Sequence, residues 1–399
     1  MKKSLLALAA LSTIAGGAQA QSSVTLYGIV DDGLLINTNS GGKRQYYMAT
    51  SVGASSRWGL LGREDLGGGL AAVFDVQNGF DVNSGAAMQS GLLFGRVAYV
   101  GLSSVQYGRV TLGRQYDALV DSVGLMISGD QWAGYIGAHP GDLDNLNNAF
   151  RSNNTIKYTS NKMSGVTTVA TYSLGNTAGN LTKNQIWSLG AKYDNGGPLV
   201  GAIGYINART PAASGGLMNN SGTANDTLST NVASPVYSGY QTANTYQSLA
   251  LGGAYTIGKS TFGLTYSNVR FDNLGGWKGN ASLVNRYASG ANVSFNSAEV
   301  NYRYQFTPAL VAGVAFNYTQ GSTVDLASGG KQEGVKYFQY QTGAQYWLSK
   351  RTDIYGIVVY QHASGTDSTG KPARAAIQAI TASANANQAA IRLGIAHRF

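Results

Sequence analysis

The sequence predicts an all-β protein, a 16-stranded antiparallel transmembrane β-barrel. Three observations predict it: an export-type amino terminus, alternating segments joined by short and long connections in turn, and an aromatic carboxy terminus. In the last segment, residues 391–399, a period of two puts three aliphatic residues and Phe399 on one face, opposite Arg392 and Arg398. One face suits lipid and the other water, so we predict that Phe399 is the barrel-assembly residue.

The amino terminus has the three parts of a secretory signal. Lys2 and Lys3 precede a short apolar run over residues 5–15, and the run leads to an Ala-x-Ala exit at Ala20. We therefore expect residues 1–20 to be a signal peptide that is removed, leaving residues 21–399 as a single barrel domain. The alternative interpretation of this stretch is a first buried helix.

Composition favours strands over helices. After the signal, no apolar stretch approaches the roughly 20 residues that a membrane-spanning helix needs. The mean hydropathy of −0.11 does not argue against a barrel, because inward polar residues cancel outward apolar ones. The 54 glycines and 25 tyrosines beside only 6 prolines fit strands, tight turns and interfacial aromatic residues.

Several kinds of chemistry are disfavoured. The chain has no cysteine, which excludes disulfides and thiolate sites, and His139, His362 and His397 lie too far apart for a paired metal motif. We expect no metal and no cofactor. The formal net charge of +9 becomes +7 once Lys2 and Lys3 leave with the signal. Because the basic residues are dispersed rather than clustered, we expect a charged pore and no nucleic-acid binding.

Sixteen alternating segments follow one another along the mature chain. Their predicted starts lie near Val24, Ala54, Gly69, Gly91, Gln106, Asn153, Gly165, Ile186, Pro198, Tyr246, Ser260, Val293, Ala309, Val335, Arg351 and Asn387. Long loops are predicted near 37–53, 81–90, 116–150, 176–185, 207–245, 272–292, 320–334 and 363–386. Short turns separate the other pairs, so both chain ends are predicted on the side of the short turns.

The charged residues of these segments share a face. Lys192 lies opposite Trp187 and Leu189, and Glu299 and Arg303 lie opposite aliphatic and aromatic neighbours. A charge facing lipid would cost about 2–4 kcal/mol near the bilayer midplane. These groups are therefore predicted to face a wet lumen.

Several stretches resemble the Gram-negative general porin family in its β-proteobacterial type. They are Ser23–Gly28, Ser56–Leu70 with its Glu-Asp-Leu-Gly hairpin, Phe94–Leu102, Tyr107–Tyr116 with its Gly-Arg-Gln sequence, Arg151–Tyr158 and His397–Phe399. The resemblance implies a trimeric, water-filled outer-membrane barrel of a Gram-negative bacterium, with a third extracellular loop at about 115–150 folded into the lumen. Its implied partners are small hydrophilic solutes, outer-membrane lipid and lipopolysaccharide.

Charges of opposite sign are expected to meet across this lumen. The third loop is acidic, with no basic residue between Arg114 and Arg151. Its candidate pore-lining acids are Asp117, Asp121, Asp130, Asp142 and Asp144. The candidate basic wall, assigned mainly by strand parity, is Arg57, Arg96, Arg109, Arg114, Lys157, Lys192 and Arg392. Since bases outnumber acids on the strands, we predict a mild preference for anions; the alternative is local balance with slight selectivity.

Other functions remain open at this point. A soluble β-sandwich or β-helix would also explain the alternation. A barrel enzyme would need a catalytic pair, for which His139 with Asp142 or Asp144, or His362 with Ser364 and Asp367, are the candidates. A substrate-specific channel would need an inward aromatic ladder, which the sequence does not show, and an adhesive role could be added by the polar loop at 207–245. We expect a passive channel and not an enzyme.

Overall fold

The computed structural model describes residues 23–213, 217–218, 234–278 and 285–399. The predicted signal peptide lies outside these residues. The strands are β1 (Ser23–Ser40), β2 (Lys43–Met48), β3 (Arg57–Gly67), β4 (Leu70–Gly79), β5 (Val97–Ser104), β6 (Gly108–Gln115), β7 (Ser152–Thr159), β8 (Val166–Ser173), β9 (Ile186–Asp194), β10 (Leu199–Arg209), β11 (Thr245–Ile257), β12 (Ser260–Asp272), β13 (Val293–Thr307), β14 (Leu310–Gly321), β15 (Val324–Asp325), β16 (Lys331–Gln332), β17 (Lys336–Trp347), β18 (Thr352–Ser364) and β19 (Asn387–Arg398).

Within the residues that the structure describes, helical turns lie in short connections. The α-helical turns are α1 (Met88–Gly91), α2 (Ala118–Ser122) and α3 (Ser128–Gln131), and the 3-10 turns are Gly124–Met126, Tyr135–Gly137, Pro140–Asp142 and Ser238–Tyr240. In the parts of the chain that the structure describes, no helix combines the length and the apolar character needed to cross a membrane.

The main sheet is antiparallel and closes on itself. From β3 onward each wall strand pairs with the next wall strand, with β14 pairing β17, and β1 pairs with β19 from Ile29 opposite Arg398 to Asn37 opposite Ala390. Two further hydrogen bonds of 3.1 Å, exchanged by the backbones of Gly28 and Phe399, complete the seam. Closure leaves no strand edge to face lipid, which is what a membrane-spanning sheet requires.

The barrel has sixteen strand positions, as predicted. β2 and β3 share one of them, because β1 pairs with β2 over its second half and with β3 over its first half. β15 and β16 form a separate hairpin in a long loop. The predicted strand starts lie within about three residues of the observed ones, except for β5, predicted near Gly91 and observed at Val97.

Two predicted boundaries were wrong for identifiable reasons. The predicted loop at 37–53 contains the end of β1 and all of β2, which are joined by a two-residue turn at Gly41 and Gly42. Both glycines have positive φ, +60° and +106°, as a tight hairpin turn of this kind demands. Before β5, residues 88–91 form the helical turn α1 instead of a strand.

The outer and inner faces follow the predicted alternation. On β19, Leu393 and Ile395 are 60% and 49% exposed on the outside, whereas Arg392 and Ala396 are buried on the inside. On β13, Val300 is exposed outward while Glu299 is buried inward. The charged residues of these two strands therefore point into the barrel, where water or protein can solvate them.

Residues 116–151 connect β6 to β7 and pack against the inner face of the barrel. The Ala118 amide donates to Ser188 Oγ on β9 at 2.9 Å, and the Ser128 amide donates to Glu299 on β13 at 2.7 Å. Gln339 on β17 donates to the Ala138 carbonyl at 2.9 Å. The indole of Trp132 lies over Gly313 of β14, where any Cβ would collide with the ring. This segment, the third loop, thus lies inside the barrel.

Candidate functional site

Four bases of the predicted wall lie on the lumen side between β3 and β7, and we call them the basic wall. Arg57 begins β3, Arg96 immediately precedes β5, Arg109 lies in β6 and Lys157 in β7. Arg57, Arg109 and Lys157 face the lumen as parity predicted. Parity was wrong for Arg96: Val97 of β5 itself faces the lumen, and Arg96 reaches the lumen because it lies before the strand, where its Nε donates to Gln77 Oε1 at 2.7 Å. Among the described residues, neither Arg57, Arg96 nor Arg109 lies within 4 Å of a carboxylate oxygen.

Tyr116 connects this wall to the third loop. Arg96 Nη2 donates to its hydroxyl at 2.8 Å, and the guanidinium of Arg151 lies 5.3 Å from the centre of its ring. Burial alone would raise the pKa of the phenol, but the positive charges of Arg96 and Arg151 lower it to about 8. Arg114 is buried close by, where it donates to the Gly95 carbonyl at 2.8 Å and to Asn153.

Two of the predicted loop acids face the basic wall. Asp121 forms an ion pair with Lys157. Asp130 is exposed and borders, together with Arg57 and Arg96, a cavity of about 340 Å³. Asp75 on β4 is a further lumen acid, and its carboxylate accepts a 2.6 Å hydrogen bond from Tyr27. The bases of this region therefore outnumber its acids.

The other three predicted loop acids are buried within the loop's own packing. Asp117 caps α2, accepting from the amides of Leu119 at 2.8 Å and Val120 at 3.2 Å. Burial raises its pKa to about 6. Asp142 accepts from the amides of Asn147 and Ala149, and burial and the charge of Asp144 raise its pKa to about 7. These carboxylates shape the loop and have no exposed surface towards the cavity.

His139 anchors the loop to the opposite wall. Its Nδ1 lies 2.6 Å from Asp144 and its Nε2 lies 3.5 Å from Glu299, and all three side chains are fully buried. Burial alone would lower the pKa of His139, but the two carboxylates raise it to about 10. The imidazole is therefore protonated at neutral pH and bridges the loop to β13, while Ser267 of β12 also donates to Asp144 at 2.6 Å.

Ser128 completes this anchor. Its amide and hydroxyl each reach Glu299 at 2.7 Å, and the hydroxyl lies 2.9 Å from Gln341 Oε1. A single hydroxyl proton cannot serve two acceptors, and Gln341 Nε2 is buried without a partner. When the nitrogen of the Gln341 amide faces Ser128, it donates to the Ser128 hydroxyl, which in turn donates to Glu299. The loop is then joined to β13 and β17 through one seryl hydroxyl.

The remaining predicted residues lie elsewhere. Lys192 faces the lumen near the periplasmic turn, 3.8 Å from Asp194, and so is not part of the basic wall. Arg392 is fully buried and lies 3.3 Å from Asp31, so it contributes no exposed charge. Phe399 is 43% exposed on the outer face at the seam. His362 lies at a strand edge and bonds only to Asn387, so the structure does not join it to Ser364 and Asp367.

The sequence missed several residues that build this region. Arg398, a lumen residue by parity, pairs with Asp353 and stacks on Trp347 at 4.7 Å. Glu299 was predicted only to face inward, and its role as the anchor for Ser128 and His139 depends on contacts far apart in the chain. Residues 50–56 were expected to belong to a loop and a strand, yet they lie inside the barrel. No local pattern signals any of these placements.

Comparison with known proteins gives a consistent result. Residues 7–366 match the family model described as Gram-negative porin. An outer membrane porin protein of Bordetella pertussis is 30% identical over 90% of this chain and 94% of its own length. The outer membrane porin protein 32 of Delftia acidovorans is 29% identical over the full length of both chains.

Solved structures agree in fold. The anion-selective porin from Comamonas acidovorans aligns with a TM-score of 0.70 at 22% identity, covering 95% of this chain and all of its own. OmpT of Vibrio cholerae in its trimer form aligns with a TM-score of 0.60 at 16% identity, covering 95% of this chain and 99% of its own.

Replacing His139 should loosen the third loop. In the His139→Gln variant, Asp144 and Glu299 lose their shared cation, and breaking a buried pair in this way costs about 3–5 kcal/mol. Amide hydrogen exchange over residues 128–150 should become faster by orders of magnitude while exchange in the strands stays slow. His362→Gln is the matched control, since that imidazole has one exposed partner. Unchanged exchange in the loop would show that the anchor is not needed.

Proposed function

The chain belongs to the Gram-negative porin family and is an outer-membrane diffusion channel, and from this premise we propose that it passes small hydrophilic solutes with a mild preference for anions. It is a channel and not an enzyme. A passive pore selects by its cross-section and its electric field, because no bond is made or broken.

The observation that carries the anion preference is the excess of positive charge along one wall. Arg57, Arg96 and Arg109 have no carboxylate within ion-pair distance among the described residues, whereas Lys157 is neutralised by Asp121. Asp130 and Asp75 supply the facing negative charge. An uncompensated cationic strip raises the local concentration of anions and lowers that of cations.

Burial of the other loop acids strengthens this imbalance. Asp142 and Asp144 lie inside the loop, and Asp144 is neutralised by the protonated His139. The sequence alone suggests five acids opposite seven bases, but two of these acids, Asp121 and Asp130, lie beside the basic wall of Arg57, Arg96, Arg109 and Lys157. Salt screens such fields over a Debye length of about 8 Å at physiological ionic strength, so the preference should be mild. One relative in fold is named as an anion-selective porin, which agrees with this proposal.

Neutralising the basic wall should reduce the anion preference. We expect Arg57→Gln and Arg96→Gln each to lower the chloride-to-potassium permeability ratio by about twofold in dilute salt, with less effect in concentrated salt. The ratio is obtained from the reversal potential across a planar bilayer in a potassium chloride gradient. Lys192→Gln should change it less, since Asp194 already balances that charge. Cation preference in the unmodified protein would refute the proposal.

We further propose that three copies of the chain associate through the seam. Asp32 of β1 points outward at the level of Ile395, where its carboxylate receives one hydrogen bond of 3.1 Å from Asn83. A carboxylate at this depth is disfavoured in lipid, and on the same outer face of β1 the side chain of Leu34 is 41% exposed. A partner barrel would shield both. OmpT in its trimer form shows that this fold occurs as a trimer.

Gel mobility and one substitution test this association. Unheated protein should migrate at about three times the monomer mass and collapse to monomer on boiling, as expected of a closed ring of copies. Replacing Leu34 by Trp should weaken the oligomer, because the larger side chain would protrude from the outer face of β1 beside Asp32. The matched control is Ala298→Trp on the outer face of β13, away from the seam. A monomer after mild extraction of the unmodified protein would contradict the proposal.

Outward-facing cations support contact with lipopolysaccharide. Arg44, Arg209, Arg270 and Lys336 lie at the long-loop ends of their strands and share the outward face. Phosphate groups of the outer leaflet would lie at this level and pair with guanidinium groups. We expect Arg209→Gln and Lys336→Gln together to lower the phosphate that co-purifies with the protein, whereas Arg270 is already paired with Asp272 at 3.0 Å. Lys259→Gln at a short turn should leave it unchanged, and equal phosphate in all variants would argue against the contact.

A further inference from the structure

The chain leaves the barrel wall between β2 and β3. At this break, the edge of β1 that faces away from β19 has no strand beside it, and its Asp31 carbonyl is satisfied instead by Thr50 Oγ1 at 3.0 Å and Ser56 Oγ at 2.9 Å. The Ser51 amide also approaches this carbonyl, at 3.2 Å. The departure is therefore a built feature in which hydroxyl groups replace the missing strand. We call residues 50–56 the inward segment.

The carboxylate of Asp31 holds the inward segment in place. It accepts hydrogen bonds from the consecutive amides of Val52 and Gly53 at 3.0 and 3.3 Å, and from the Tyr355 hydroxyl at 2.6 Å. Successive backbone amides that converge on one anion form a strong and directional cradle. Asp31 is completely buried, so water cannot replace these donors.

Arg392 supplies the opposing charge. Its Nη2 lies 3.3 Å from Asp31 Oδ1 and its Nε donates to the Tyr355 hydroxyl at 3.1 Å. A third hydrogen bond goes to the Gly33 carbonyl of β1. The pair has no exposed surface and its charges cancel. Asp31 and Arg392 therefore hold the inward segment in position and contribute little to the electric field in the pore.

The inward segment touches the third loop directly. The Tyr135 amide donates to the Val52 carbonyl at 2.7 Å, and Val52 packs with Ile136 and Tyr355 in one apolar cluster. Gly134, next to this bond, has a φ of +62° and would collide with the Val52 carbonyl if it carried a side chain. The inward segment and the third loop thus contact each other inside the lumen and stabilise each other's position.

Both segments border the same cavity. Residues 51–55 line it on one side, and Asp130, Gln131 and Trp132 of the third loop line it on the other. If β2 ran straight into β3, the space now filled by the inward segment would be open to water. The width of this cavity therefore depends on both the inward segment and the third loop.

From this geometry we infer that the inward segment is a second constriction element of the channel, and that Asp31 and Arg392 are positioning residues that set its contribution to the size limit for solutes. The inference rests on the proposed diffusion function. It separates two properties of the channel: the basic residues without an ion-pair partner affect ion selectivity, and the buried pair affects the size limit.

A charge-neutral double variant tests the positioning role. Asp31→Asn with Arg392→Gln removes the ion pair without changing the net charge. We expect the inflow of neutral tri- and tetrasaccharides into proteoliposomes to rise about twofold or more relative to that of a monosaccharide, as for a wider aperture, with little change in reversal potential. The matched control is Asp367→Asn with Arg374→Gln, which removes the ion pair of 3.5 Å in the last long loop.

A second variant tests the constriction without disturbing the pair. Ala54 borders the cavity, so Ala54→Phe should narrow it and slow the larger sugars at least about twofold, because flux falls steeply as a solute approaches the aperture. Ala298→Phe makes the same change on the lipid-facing side of β13 and should leave inflow unchanged. Because the first variant opens the passage and the second fills it, the two should shift inflow in opposite directions.

The outcomes separate this inference from the function beneath it. If the unmodified protein passes sugars and both variants keep its size limit, the inward segment does not constrict the channel and the inference is wrong. If the double variant does not assemble, Ala54→Phe alone decides by the same criterion. If the unmodified protein passes neither ions nor sugars, the proposed function falls and the inference falls with it.

Discussion

The constraint on which the structure depends is that every backbone amide and carbonyl of a membrane-spanning sheet must find its partner within the protein. The seam between the first strand, β1, and the last strand, β19, satisfies this constraint through hydrogen bonds that continue to Gly28 and Phe399. Closure then fixes the inside and the outside of every strand. Parity then directs charged residues such as Glu299 and Arg392 to the lumen through their position in the strand, whereas Arg209 and Lys336 face outward at the long-loop ends.

In a lumen filled only with water, these charged side chains would have no fixed partners. The third loop and the inward segment supply such partners. The third loop brings His139 to Glu299, and the inward segment brings two amides to Asp31. Each contact is buried, and removing one member would leave an uncompensated charge. The residues of the barrel wall and those of the inward-folded segments therefore determine each other's position. Gly313 contributes by leaving room for the Trp132 ring, which a side chain at that position would exclude.

The sequence predicts the barrel well because a period of two is a local property. The starts of β9, β12, β13 and β19 were predicted at the observed residues, and the facing of Lys157 and Glu299 follows from the same alternation. Contacts inside the lumen are not local, and parity says only that a side chain points inward. Parity predicts the same inward facing for Arg392 and Arg57. In the structure Arg392 is buried in an ion pair with Asp31, whereas Arg57 borders a cavity.

The same limit explains the acids of the third loop, which composition counts as one group. Asp130 is exposed, whereas Asp142 and Asp144 bind amides and His139 inside the loop. Ionisable residues in this lumen thus have two distinct roles. Ionisable residues in buried ion pairs hold the chain in position, and because their charges cancel they add little to the electric field in the lumen. Ionisable residues without an ion-pair partner generate that field and contribute little to holding the chain in position. A charge count over the sequence mixes the two roles, and only the partner of each residue separates them.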